Sequence, residues 1–266
     1  MTSAASLAST VSYSGNSGSA SWEGRLVSDP QLFSNFVRDV VRDRISDASS
    51  GFQAEVAGLA STGMSTEFIE RFLKAVPKPE IWEIGEALAE CALQHDSGRV
   101  VYLPWNTVRD RRTPRASLPG ADLVGFFQED DTVLLLIGEV KTSSDSNAPP
   151  NVMYGGSGMV WQLEASATKL DIQRALMKWL QSRCREAPYR ELYESARNRY
   201  FASEGREFLL MGILIRDTKP DEGDLKARAK TLSESIGMPT RIDLVAWYLP
   251  ILMTQWPKLL ETEEAA

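Results

Sequence analysis

The stretch that most restricts this fold is Val133-Leu134-Leu135-Leu136-Ile137-Gly138-Glu139-Val140-Lys141, an apolar run that ends on two charges. Its apolar part is far shorter than the roughly 20 residues a membrane-crossing helix needs, so it predicts a strand. The acidic turn Gln128-Glu129-Asp130-Asp131 precedes it, and Asp122 to Phe127 reads as the other arm of a hairpin. Val100 to Leu103 and 241–248 are further strand candidates, and Phe208 to Ile215 is apolar enough for a buried strand. Helical periodicity marks Glu80 to Gln94, Trp161 to about Arg185, and 222–236. The order α-β-β-β-α-β-α-β predicts an α/β fold, a mixed sheet flanked by helices, with a helical part ahead of it.

Three regions follow from the pattern. Residues 1–28 are rich in Ser, Gly and Ala with little charge, and read as poorly ordered or as an extended arm. Residues 29–77 form a helical N-terminal region. Asp29-Pro30 opens a helix in which Leu32, Phe33, Phe36, Val37, Val40 and Val41 recur at helical spacing, and shorter helical stretches lie near 51–60 and 66–75. That first helix also carries Arg38, Arg42 and Arg44, so it either packs on its own domain or docks a partner. Pro77 and Pro79 close this region, and residues 78–266 form the α/β domain.

The hairpin places the chemistry. Side chains two apart on a strand share a face, so Glu139 and Lys141 point together while Val140 turns inward. With Asp130-Asp131 as a two-residue turn, Glu129 faces Thr132 and Asp122 falls directly opposite Glu139. A slip of one residue would separate them, so this register is an assumption to be tested. Two carboxylates paired across strands stand roughly 5 Å apart and repel unless a cation or a proton lies between them. Lys141 beside them suits an arrangement that holds a water and offsets charge on a phosphate. The Val140 carbonyl offers another oxygen ligand. Glu86, on the helix before the first strand of the domain, offers a third carboxylate that reaches a metal directly or through water, with Glu83 and Glu90 as rivals on the same helix face.

Composition narrows the alternatives. One histidine, His95, cannot supply a multi-histidine metal centre, so a bound metal would be held by carboxylates, pointing to Mg²⁺ or Mn²⁺. His95 follows a helical segment and reads as structural or capping. Two cysteines, Cys91 and Cys184, imply no disulfide framework, and with no signal-peptide pattern at Met1 the expected compartment is cytoplasmic. The net charge of -7 argues against a surface devoted to nucleic acid but permits a local basic track. The run Arg109, Arg111, Arg112 and Arg115, just ahead of Asp122, is the candidate for that track and for phosphate contacts. Gly155-Gly156-Ser157-Gly158 lacks the Gly-Lys-Ser/Thr ending of an ATP-binding loop. Trp161, Leu163, Leu170, Ile172, Leu176 and Trp179 are expected in the core.

Gly-Ala-Asp122 at the start of a hairpin, Glu139-Val-Lys141 at the end of an apolar strand, and Glu86 on an upstream helix together resemble the PD-(D/E)xK nuclease superfamily. Pro119 stands three residues before Asp122 rather than beside it. The resemblance covers about residues 80–180. It implies a restriction-endonuclease-like fold in which Asp122, Glu139 and Glu86 serve Mg²⁺, Lys141 assists the attacking water, and DNA is the substrate. In such nucleases the helix after Glu-x-Lys often carries a Gln near its start, a position Gln162 matches. The wording Gly-Ala-Asp-Leu-Val-Gly and Gly-Glu-Val-Lys, with the helical N-terminal part, is similar to the nuclease subunit of Hachiman anti-phage defence, which implies a helicase partner. The rival expectation is a catalytically silent nuclease fold with a structural or regulatory role in a nucleic-acid complex.

Overall fold

A computed structural model describes residues 7–75, 78–104 and 120–261. The elements run β1 (Thr10–Ser17), β2 (Ala20–Leu26), α1 (Pro30–Phe36), α2 (Arg42–Ile45), α3 (Phe52–Gly58), α4 (Thr66–Lys74), α5 (Ile81–Gln94), β3 (Val100–Tyr102), β4 (Leu123–Glu129), β5 (Thr132–Ser143), α6 (Met159–Thr168), α7 (Leu170–Arg183), α8 (Tyr189–Ala202), β6 (Leu209–Arg216), α9 (Lys226–Ile236), β7 (Arg241–Tyr248) and α10 (Trp256–Leu260). The strands form one mixed sheet in the order β1-β2-β7-β6-β5-β4-β3, flanked by helices. Strands β5, β6, β7 and β2 run parallel to one another, and β1, β4 and β3 pair antiparallel at the two ends.

The apolar run 133–138 is explained by its place. β5 lies between β4 and β6 with helices over both faces, so both sets of alternating side chains are buried. Leu134, Leu136 and Val140 join α1, α5 and α10 in one core, through Phe33, Leu88 and Trp256 among others. Val133, Leu135 and Ile137 join α6 to α9 in the other, through Leu163, Leu176, Ala196 and Leu232. β6 shows the same double burial over its whole length. Val140 turns inward as its spacing predicts.

The N-terminal segment departs from expectation. Instead of an arm, residues 10–26 are a β-hairpin that extends the sheet by pairing β2 in parallel with β7. Ala20 and Trp22 are buried, the Tyr13 hydroxyl lies 2.7 Å from that of Tyr248, and the absence of a side chain at Gly15 lets the Trp22 ring lie against β1. The Ser- and Gly-rich composition misleads because β1 is an edge strand whose side chains are largely exposed or half-buried. The first long helix packs on its own domain: Phe33, Phe36, Val37 and Val41 enter the sheet core, and Arg44 pairs with the buried Glu90 of α5. A π-helical turn, Val37–Val41, joins α1 to α2. α3 and α4 are more exposed and carry Phe52, Phe68 and Phe72 in ring contact.

The single helix expected over 161–185 is two, broken at Lys169, whose backbone is extended. The Gln173 amide donates to the Ser166 and Ala167 carbonyls freed by the break, and the Tyr200 hydroxyl donates to Gln173 Oε1. Among the described residues, no helix is long and apolar enough to cross a membrane.

Candidate active site

The ladder settles the hairpin register. Glu129 pairs with Thr132 and Leu123 with Gly138, which sets Asp122 opposite Glu139 one step before β4 begins. Asp122 N–H donates to the Gly138 carbonyl at 2.9 Å, and Asp122 Oδ2 accepts from Val140 N–H, also at 2.9 Å. A strand residue directs its N–H and C=O to the same edge. The Val140 carbonyl therefore points beside Asp122, beyond the start of β4, into the space an oxygen-liganded cation would need.

Glu139 is almost completely buried, and its Oε1 accepts from Lys141 Nζ at 2.6 Å. Burial pushes the Glu139 carboxyl up to about 8, and the neighbouring Asp122 charge adds to the rise, while Lys141 opposes it. Burial and the Asp122 charge thus both favour a proton on Glu139.

Asp122, Glu139 and Lys141 open on a cavity of about 410 Å³ whose walls also include Val140, Thr142, Trp82 and Glu86 of α5, and Gln162 of α6. Gly85 explains how α5 comes so close. A Cβ there would stand 2.0 Å from Thr142 Oγ1, so only glycine lets the helix settle on β5 and bring Glu86 into the wall. Its two rivals are engaged elsewhere. The Glu83 side chain accepts from Glu80 N–H at 2.7 Å in a capping box, and the buried Glu90 pairs with Arg44. Gln162 also lines the cavity, and among the described residues its buried Oε1 has no hydrogen-bond partner.

The donor set is thus two carboxylates opposite each other and one carbonyl, with Glu86 further along the wall. Among the described residues, no group of three or more His, Cys, Asp or Glu side chains comes together as a metal centre. Direct ligation by Glu86 therefore has no geometric support, and the part left to it is through water. Hard oxygen donors fit Mg²⁺ or Mn²⁺ better than softer metals.

Arg109, Arg111, Arg112, Arg115 and Pro119 lie outside the described residues. His95 caps the C-terminus of α5 and stands edge-on to Phe36, as expected of a structural residue. Leu163 and Leu176 are buried as expected, but Trp161 and Leu170 are exposed, at 48% and 72%. Trp161 lies about 200° round α6 from the buried Leu163, and the break at Lys169 takes Leu170 out of phase with Leu163. Trp82, which the sequence did not single out, is 43% exposed in the cavity wall. Its signal was an aromatic residue in the first turn of α5, one turn before Glu86.

No protein-family model matches the chain, and no curated protein is detectably similar to it.

Proposed function

We propose that this protein is a Mg²⁺- or Mn²⁺-dependent phosphodiesterase that cuts or nicks DNA, in the manner of PD-(D/E)xK nucleases. The observation that carries the reading is the hairpin register. It faces two carboxylates across adjacent strands, one of them buried, and sets Lys141 on the same face. Burying such a pair costs several kcal/mol unless charge or a proton compensates it, and an ordinary core has no use for it.

Asp122, Glu139 and the Val140 carbonyl would hold the cation, with Glu86 supporting it through water. A bound Mg²⁺ supplies Lewis-acid stabilisation of the charge that develops on a phosphate. Lys141 orients the attacking water and offsets charge on the phosphate from the other side. Glu139 fixes the Lys141 ammonium in place, and Asp122, held by Val140 N–H, keeps the strand ends in register. Gln162, in the same cavity wall, would bond the substrate or its water shell. Arg109, Arg111, Arg112 and Arg115 contact backbone phosphates.

The net charge of -7 weakens unaided DNA binding, and the sequence carries no ATP-binding motif. Both features fit an effector gated by a separate helicase in prokaryotic anti-phage defence, the setting of the Hachiman nuclease subunit it resembles.

The test is cleavage of supercoiled plasmid by purified protein with Mg²⁺ or Mn²⁺, with EDTA and Glu139→Ala/Lys141→Ala controls. The expected result is metal-dependent nicking that the double variant loses. Equal nicking by the variant would overturn the assigned site.

A further inference from the structure

We propose that the site takes a nucleic-acid strand with unpaired bases, and that Trp82 is the surface on which a base beside the scissile phosphate stacks. This substrate class rests on the phosphodiesterase reading above and deepens it.

Trp82 combines exposure with a place beside the reacting groups. Its ring is 43% exposed, whereas Ile84 and Leu88 of the same helix are buried at 1%. It also forms part of the same cavity wall as Glu139 and Lys141. The ring sits on a rigid base. The capping box of Glu80 and Glu83 fixes the first turn of α5, and Gly85 seats the helix against Thr142. A fixed, exposed indole beside the reacting groups is the form a base-stacking platform takes.

The helix that supplies Gln162 carries a second exposed ring. Trp161, the preceding residue, is 48% exposed, and Lys169 Nζ lies 4.8 Å from the centre of its ring. An exposed ring with a cation against it matches a base followed by its phosphate.

Charge points the same way. Among the described residues of the cavity wall, Lys141 is the one cation, and Glu139 holds it at 2.6 Å. The net charge of -7 sets phosphate contacts against an acidic body. Stacking supplies affinity that salt does not screen. An intact duplex keeps its base faces against one another, so only a single strand, a frayed end or a flipped base offers a face to Trp82. The 410 Å³ cavity matches small-ligand sites, the scale of a nucleotide rather than of a duplex.

The experiment measures fluorescence anisotropy of the full chain with a labelled 12-nucleotide oligothymidine and with a blunt duplex of that length. It is run in EDTA for wild type, Trp82→Ala, Trp82→Phe and Trp161→Ala, beside the plasmid assay. Circular dichroism checks that each variant is folded. Wild type is expected to prefer the single strand, with quenched tryptophan emission. Trp82→Ala should weaken that binding about tenfold, Trp82→Phe should recover part of the loss, and Trp161→Ala should cost less. Plasmid nicking with equal single-strand binding by wild type and Trp82→Ala would overturn the platform and leave the nuclease standing. Trp82-dependent single-strand binding without metal-dependent nicking would keep the platform and remove the catalysis. No binding of either oligonucleotide would overturn the platform whatever the plasmid assay shows.

Discussion

On the proposed function, the burial of Glu139 would tie metal affinity to pH. Burial holds its carboxyl up to about 8, so near neutrality a proton on Glu139 is favoured and a bound cation would have to displace it. The apparent association constant is then reduced by one plus the ratio of protonated to ionised Glu139. With a carboxyl at about 8, that factor is about 100 at pH 6 and about 2 at pH 8, a rise in affinity of about 50-fold. At pH 7 each Mn²⁺ bound should release about 0.9 proton. Isothermal titration calorimetry with Mn²⁺, in buffers of differing ionisation enthalpy, reads both quantities. The metal-free protein has a related dependence of its own. Above about 4.5 the unfolded chain gives up a proton that the folded state keeps until about 8. Its stability therefore falls as pH rises through that window, by at most about 1.4 kcal/mol per pH unit from this group, and levels off above it. Glu139→Gln should flatten the dependence in urea unfolding and abolish metal binding. Affinity constant from pH 6 to 8 with no proton release would refute the shared-proton account of the site.

Gly85→Ala drives a Cβ into Thr142, so it should cost about 1–3 kcal/mol in urea unfolding and displace Glu86, with Thr142→Ala restoring part of the loss. Arg44→Ala leaves Glu90 buried without this partner and should lower stability by about 3–5 kcal/mol, measured in the same way, whereas added Arg44→Ala in a Glu90→Leu background should cost much less. A chain starting at residue 28 would uncover the β7 edge and the partners of Trp22, so it should be aggregated by size-exclusion chromatography, against the behaviour expected if the segment were a dispensable arm.

Much of the site was legible because its geometry is local. A two-residue turn and the two-residue period of a strand are enough to set Asp122 against Glu139 and Lys141 on one face, and both are properties of the chain over some twenty residues. The apolar strands were legible for a related reason: double burial removes the polar alternation that would otherwise mark a solvent face. What the sequence alone did not decide depends on neighbours far along the chain. That Glu86 lines the cavity while Glu83 caps α5 and Glu90 pairs with Arg44 depended on a cap at Glu80, an arginine 46 residues before Glu90, and the contact of Gly85 with Thr142. The N-terminal hairpin is a strand pair because β7, more than 200 residues later, offers it an edge. Trp161 lies about 200° round α6 from Leu163, and only the packing of α6 decided that Leu163 takes the buried face. Local periodicity is written in consecutive residues, whereas partnership across the sheet is fixed only when the chain closes on itself.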